Sequence, residues 1–240
     1  MSEPLARGGS GEMFDRIAAR YDLLNRVLSF GMDGRWRRAL VRALGRPLSQ
    51  VLDVATGTAD VALAAAAAHP EARVVGVDPS REMLAVGRTK VERRGLGARI
   101  SLELGDCEAL PFADARFDAA AISFGIRNVP DRAKGLRELA RVVRPGGYVA
   151  VLELGEPEGL LGPFARFYVH KVVPRIGAAL SGAREYHYLH ESIARFPTPP
   201  EFMDLMRAAG LQDVSVKRFN FGGTNLFVGR RPAALPPMNP

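Results

Sequence analysis

Apolar and polar positions follow two rhythms along this chain. Phe14, Ile17, Tyr21, Leu24 and Val27 recur every three or four residues, the spacing of a helix with one buried stripe. A second helix is predicted over Gly34–Ala43, where Trp36, Leu40 and Ala43 oppose Arg35, Arg37, Arg38 and Arg42. Beyond it come short, nearly continuous apolar runs: Val51–Val54, Arg73–Asp78, Ile100–Leu104, Phe117–Ser123 and Tyr148–Leu154. Such runs read as buried strands. Helical segments separate them, at Asp60–Ala68, after the cap residue Ser80, and at Asp131–Val142, with Pro145-Gly146-Gly147 as a stop signal. This alternation predicts an α/β fold, a mostly parallel sheet with helices on both faces.

Gly159–Ala179 is apolar and interrupted by Pro163 and Pro174, and reads as broken helical structure inserted after the fifth strand. Helices over Glu185–Phe196 and Glu201–Ala209 follow, the second capped by Thr198, and strands at Val214–Phe219 and Thr224–Gly229 bring the sheet to seven. The expected organisation is a flexible tail (1–12), a single domain (13–230) with an N-terminal helical lid (13–45) and a helical insertion (159–196), and a flexible proline-rich tail (231–240).

Composition narrows the class. At 240 residues, 47% apolar and 25% charged, the chain is neither disordered nor fibrous. Its net charge of +7 suits an anionic membrane surface, nucleic acid or an acidic substrate without choosing among them. Cys107 is the one cysteine, which excludes an intrachain disulfide and a multi-cysteine zinc site. No three residues show metal-ligand spacing, so no metal is expected. The first residues lack a basic segment followed by an apolar one, and Val61–Ala68 is too short to cross a bilayer. A cytoplasmic protein is expected, with any membrane association peripheral.

The chemistry concentrates after the first strand. Val51–Asp60 reads VLDVATGTAD, an acidic residue inside the strand and a glycine just beyond it. Open parallel sheets bind ligands beyond the carboxyl ends of their strands. Gly57 allows close backbone approach, Thr58 adds a hydroxyl or an amide, and Asp78, ending the second strand, suits a ribose diol. The plainer reading is a chain turn at Gly57 and a helix cap at Asp78. The three-glycine pattern of a dinucleotide site is missing, and Asp53 would repel a diphosphate but attract an ammonium group. S-adenosylmethionine, with adenine, a ribose diol, a sulfonium and an amino-acid end, fits these features. Asp106-Cys107 follows the third strand, where adenine would lie; the Cys107 thiol reads as a small filler rather than a nucleophile.

The chain also resembles the menaquinone/ubiquinone biosynthesis C-methyltransferases. The likeness rests on Val51–Asp60, on Gly105–Phe112 (GDCEALPF), on Ile122–Val129 (ISFGIRNV), and on Tyr21-Asp22, Asn25 and Ser29-Phe30-Gly31. It extends through Arg141–Gly147, Leu152-Glu153, Pro174–Gly177, Tyr188-Leu189 and Glu191–Ile193. It implies a class I S-adenosylmethionine-dependent methyltransferase fold and methyl transfer to a ring carbon of a prenylated quinol. By matching positions, Thr58, Asp78, Asp106, Cys107 and Ser123 would contact S-adenosylmethionine, with Asp53 and Gly57 shaping the same cleft. Ala59 brings the motif nearer the menaquinone branch, where demethylmenaquinol becomes menaquinol. The stretch Phe221–Phe227 departs from the family's usual Gly-Val-Val-Ala-Leu-His, so a role for that histidine does not carry over.

Carbon methylation needs an electron-rich ring, supplied when a quinol oxygen loses its proton. Arg127 is the expected partner of the developing phenolate and Asn128 the residue that orients the ring oxygen or a water. Tyr21 is expected to close over the site, with Glu153 holding a substrate or turn hydrogen bond and His187 as the histidine nearest substrate. Phe164, Phe167, Tyr168, Val172, Val173 and Ile176 are candidates to line a prenyl channel. Expected partners are the prenylated naphthoquinol, a transient membrane contact through the Arg35–Arg38 and Arg42 face, and a second copy in a homodimer; nucleic acid is not expected. The competing readings are a ubiquinone-pathway or other small-aromatic methyltransferase, a nicotinamide dehydrogenase, and a catalytically silent subunit.

Overall fold

A computed structural model describes Ala18 and residues 21–156 and 191–233. Phe14, Ile17, the insertion up to residue 190 with its channel residues, His187, the start of the helix that reaches 191–194, the N-terminal tail (1–12) and residues 234–240 of the C-terminal tail lie outside the described residues.

Helices α1 (Tyr21–Leu28) and α2 (Asp33–Ala43) precede the first strand. Then come β1 (Gln50–Val54), α3 (Asp60–Ala68), β2 (Arg73–Asp78), α4 (Arg81–Arg93), β3 (Ile100–Leu104) and β4 (Phe117–Ser123). After a 3-10 turn at Ile126–Asn128 follow α5 (Arg132–Val142), β5 (Val143–Leu154), α6 (Pro199–Ala208), β6 (Gln212–Phe219) and β7 (Thr224–Arg230). The seven strands order as β3-β2-β1-β4-β5-β7-β6. The first five pair in parallel, and β7 runs antiparallel to both its neighbours. This is the class I methyltransferase architecture. The strand order reverses between β1 and β4, so the crevice at their carboxyl ends is where a ligand is favoured.

Alternation along each strand splits the core in two. One face stacks Leu52, Ile122, Val149 and Val151 against Leu136 and Leu139 of α5 and Phe202 of α6. The other is alanine-rich: Ala119, Ala121 and Ala150 let α2 and α3 approach closely, with Trp36, Leu40 and Ala62 filling the layer. Small side chains on the sheet are what bring these two helices near the crevice.

Two local expectations are corrected. Pro145-Gly146-Gly147 does not end in a turn ahead of the fifth strand; β5 already begins at Val143, which pairs with Phe117 before the register shifts. The glycines accommodate that irregularity. A Cβ on Gly147 would lie 2.3 Å from the Asp118 carbonyl oxygen, and Gly146 has φ +81°. The second correction concerns the basic face of α2. Arg35, Arg38 and Arg42 are exposed, but Arg37 is buried, paired with Asp33 and 3.4 Å from Asp60.

Candidate active site

The turn after β1 is shaped by three left-handed residues in alternation: Ala55 (φ +50°), Gly57 (+55°) and Ala59 (+67°). Only Gly57 takes that conformation without strain; each alanine costs about 1 kcal/mol. Ala55 is hemmed in, since a Cβ on Gly125 of the β4 loop would come within 2.5 Å of its methyl. The β1 and β4 loops therefore touch at the strand-order switch. Phe124, also left-handed at +56°, bends the chain sharply after β4.

Carboxylates brace this turn. Asp78 at the end of β2 accepts from the Gly57 N–H (2.8 Å) and the Ser80 N–H (2.9 Å), so it orders the turn and the start of α4 together. Asp53 is buried and accepts from Thr56 Oγ1 (2.6 Å) and the Ala62 N–H (3.0 Å). Ala59, at the N-cap of α3, has no capping oxygen, and Asp53 supplies one from the strand. Burial pushes the Asp53 carboxyl up to about 7, with Asp78 adding to the rise and the Thr56 and Ala62 hydrogen bonds opposing it. Its Oδ1 has no hydrogen-bond partner among the described residues. Asp53, expected to shape the ligand cleft, thus spends Oδ2 inside the fold and keeps only Oδ1 for that role.

Thr58 is committed as well. Its hydroxyl donates to Asp22 Oδ1 (2.5 Å) on α1 and accepts from Lys90 Nζ (3.1 Å) on α4. This leaves its backbone, not its hydroxyl, for a ligand. Tyr21 stands over the glycine turn: a Cβ on Gly57 would meet the Tyr21 ring at 4.0 Å.

Beyond β3, Asp106 Oδ1 accepts from the Glu108 N–H (2.8 Å) and fixes its own loop. Arg141 of α5 holds that loop from beneath, bonding the carbonyls of Phe112 (2.7 Å) and Leu110 (3.1 Å). The Cys107 sulfur faces inward, 2.9 Å from where a Cβ on Gly135 would lie. Burial, then Asp106, Glu108 and Glu138, push its thiol up to about 12, which makes it inert. The side chain is core, and only the Cys107 backbone remains available to a ligand.

On the other side of the switch, Ser123 ends β4 with its hydroxyl buried and unpartnered among the described residues. Arg127 is not an open cation. Its Nη1 pairs with Glu153 Oε1 (2.6 Å) and donates to the Phe124 carbonyl (2.6 Å), while Glu153 Oε2 accepts the Arg127 N–H (3.2 Å). Glu153 is wholly buried, so the pair is internal and neutral overall, and Arg127 holds the left-handed bend at Phe124. The guanidinium expected beside the quinol oxygen therefore carries an internal counter-ion, Glu153. What remains are Nη2 and Nε, the latter buried and without a partner among the described residues. Asn128 sits in the same 3-10 turn, its N–H bonded to the Gly125 carbonyl (3.0 Å).

Two buried acceptor or hydroxyl atoms, Asp53 Oδ1 and Ser123 Oγ, thus remain unsatisfied on adjacent strands, and Gly57 keeps the turn open between them. Buried polar atoms are seldom left so. These residues fit a ligand with an ammonium and a ribose. Lys90 carries no signal along the chain beyond being one of only four lysines, and Asp22 stands out there only beside Tyr21.

Comparison with known proteins agrees. The model of the ubiE/COQ5 methyltransferase family matches residues 6–231. The ubiquinone/menaquinone biosynthesis C-methyltransferase UbiE of Geobacter sp. (strain M21) is 46% identical over 222 residues, 91% of this chain and 94% of its own length. The demethylmenaquinone methyltransferase of Thermus thermophilus is 48% identical over 223 residues, 92% of this chain and all of its own. That of Deinococcus radiodurans is 45% identical, covering 91% of this chain and 90% of its own length. Among solved structures, the [4+2]-cyclase SpnF aligns with TM-score 0.68 at 18% identity, over 94% of this chain and 96% of its own. A Thermotoga maritima S-adenosylmethionine-dependent methyltransferase aligns with TM-score 0.65 at 23% identity, over 92% and 99%. These last two speak to the fold alone. With the family model spanning nearly the whole chain, the protein belongs to the ubiE/COQ5 methyltransferases and is an S-adenosylmethionine-dependent methyltransferase of menaquinone/ubiquinone biosynthesis.

Proposed function

We propose that the protein methylates a ring carbon of demethylmenaquinol, giving menaquinol. The observation that carries this choice of branch is the 48% identity to the Thermus demethylmenaquinone methyltransferase across that protein's full length. Ala59 in the glycine turn supports the same branch.

S-adenosylmethionine supplies an electrophilic methyl on a sulfonium. Asp78 receives the ribose diol, with its bond to the Gly57 N–H setting the carboxylate's position. Asp53 Oδ1 and Ser123 Oγ take the polar atoms of the donor, and the backbone at Asp106-Cys107 borders the base. At the acceptor, an uncommitted guanidinium N–H of Arg127 donates to the quinol oxygen as negative charge develops, while Asn128 orients that oxygen. Because Glu153 balances the Arg127 charge, this donor binds a neutral quinol without a net cation nearby and strengthens only as the oxygen becomes anionic. Tyr21 covers the donor side and keeps water away. The prenyl tail brings the protein to a membrane surface, where exposed Arg35, Arg38 and Arg42 add attraction to anionic lipid.

The test is incubation with methyl-labelled S-adenosylmethionine and either demethylmenaquinol or its benzoquinol counterpart, followed by lipid extraction. Label is expected in the naphthoquinol at a rate at least about tenfold above the benzoquinol, a difference of roughly 1.4 kcal/mol in transition-state binding. Equal labelling of both would make the enzyme a common one for the two branches.

A further inference from the structure

Lys90 has no place in the chemistry above, yet it joins three elements at the mouth of the donor site. It projects from the last turn of α4, a helix fixed on the sheet by Met83, Leu84, Gly87 and Val91. Its ammonium bonds Asp22 Oδ2 of α1 (2.7 Å), Thr58 Oγ1 of the glycine turn (3.1 Å) and, very closely, Asp60 Oδ1 of α3. The Thr58 hydroxyl is engaged at both ends, donating to Asp22 and accepting from Lys90. On the far side, Asp60 also faces Arg37 of α2 at 3.4 Å.

We propose that Lys90 is a positioning residue: by gripping Asp22 it latches α1, and with it Tyr21, over the methyl-donor site, and so sets how long the donor is retained. The inference rests on the reading of the glycine turn as the donor site. Asp22 and Asp60 approach each other through a single ammonium. With that ammonium in place α1 is drawn onto the turn. Without it Asp22 keeps its bond from the Thr58 hydroxyl but loses its cation and faces Asp60, which retains only Arg37 at 3.4 Å, so the grip on α1 weakens. Lys90 is the neutraliser that α4, being fixed, holds at constant height. Asp22 lies only one residue from Tyr21, whose ring covers Gly57, so release of Asp22 uncovers the turn. The latch is half-exposed at Asp22, so it is sensitive to salt.

The experiment compares wild type, Lys90→Met, Lys90→Arg and Asp22→Asn. Release of labelled S-adenosylmethionine is followed after rapid dilution, and kcat and KM for the donor are measured alongside thermal melts. Lys90→Met is expected to release the donor about fivefold faster or more, the scale of about 1 kcal/mol. Its kcat/KM for the donor should fall further than its kcat. Lys90→Arg should recover most of the slow release, and Asp22→Asn should reproduce the fast one. About 0.5 M salt should hasten wild-type release and leave Lys90→Met unchanged. An unaltered release rate in Lys90→Met and Asp22→Asn that melt like wild type overturns the latch, as do equal falls in kcat and kcat/KM. Because release is measured without acceptor, the latch is judged separately from the quinol assignment: a wild type that retains the donor but labels no quinol defeats only the latter.

Discussion

The two sides of the cleft use charge in opposite ways. On the donor side, carboxylates gather on neighbouring strands: Asp53 on β1 and Asp78 on β2 lie close enough for Asp78 to help raise the Asp53 pKa. Both spend oxygens on backbone N–H groups at the starts of α3 and α4. On the acceptor side, Glu153 and Arg127 cancel one another inside the protein. The contrast suits the ligands proposed above. A sulfonium with an ammonium group is a cation and gains from unbalanced carboxylates, whereas a quinol arrives neutral and would gain nothing from a bare charge. The acidic side stores part of its charge as a proton; the neutral side stores its charge as an ion pair.

Breaking the neutral side should have the largest effect. Glu153→Gln leaves the Arg127 guanidinium buried without its counter-ion, and should cost about 3–5 kcal/mol of stability, read as a lower urea midpoint. Replacing both partners with apolar residues should restore most of it. A Glu153→Gln protein within about 1 kcal/mol of wild type would mean that the pair does not hold the Phe124 bend.

Asp78→Asn sharpens the donor side. The amide oxygen can still accept one backbone bond, so the fold should survive, while donor binding weakens by about 1–3 kcal/mol in calorimetry. Unchanged affinity would return Asp78 to the plainer role of bracing the turn.

Asp53 gives the finest discrimination, through pH. An aspartate in the unfolded chain titrates near 3.9, but in the fold near 7, so the folded protein binds the extra proton between those values. The stability this proton confers is complete below about pH 4 and is lost as pH rises through 7. Asp53→Asn cannot lose it. Relative to wild type, the variant should gain roughly 1–3 kcal/mol between pH 5 and pH 8, measured by denaturant unfolding at both. Parallel stability curves for the two proteins would place an ionised Asp53 in the resting cleft.

Much of the frame was legible in the sequence because it obeys local rules. β2, β3 and β4 span the residues predicted: β2 and β4 are buried on both faces, which leaves little choice of register, and β3, at the sheet edge, is marked by its alternating apolar positions. Ser80 caps α4 as its position suggested, accepting from the Met83 N–H at 3.1 Å. Gly57 was legible because a glycine after a buried strand has few other uses. The early start of β5 was not, because Pro145-Gly146-Gly147 carries the same local signal whether it ends a helix or bends a strand.

What the tertiary structure alone decided is where each polar side chain spends its hydrogen bonds. Asp53 reads as a ligand residue until α3 is found with an alanine at its N-cap and in need of an acceptor. Arg127 reads as a catalytic cation until β5 brings Glu153 beneath it, 26 residues away. Lys90 and Asp22 stand 68 residues apart, and nothing in either's neighbourhood points to the other. Period and propensity act over a few residues and so can be read along the chain. Charge pairing and burial depend on distances set only when the sheet orders its strands, and that ordering placed Asp53 at the start of α3, Glu153 against Arg127, and Lys90 between Asp22 and Asp60.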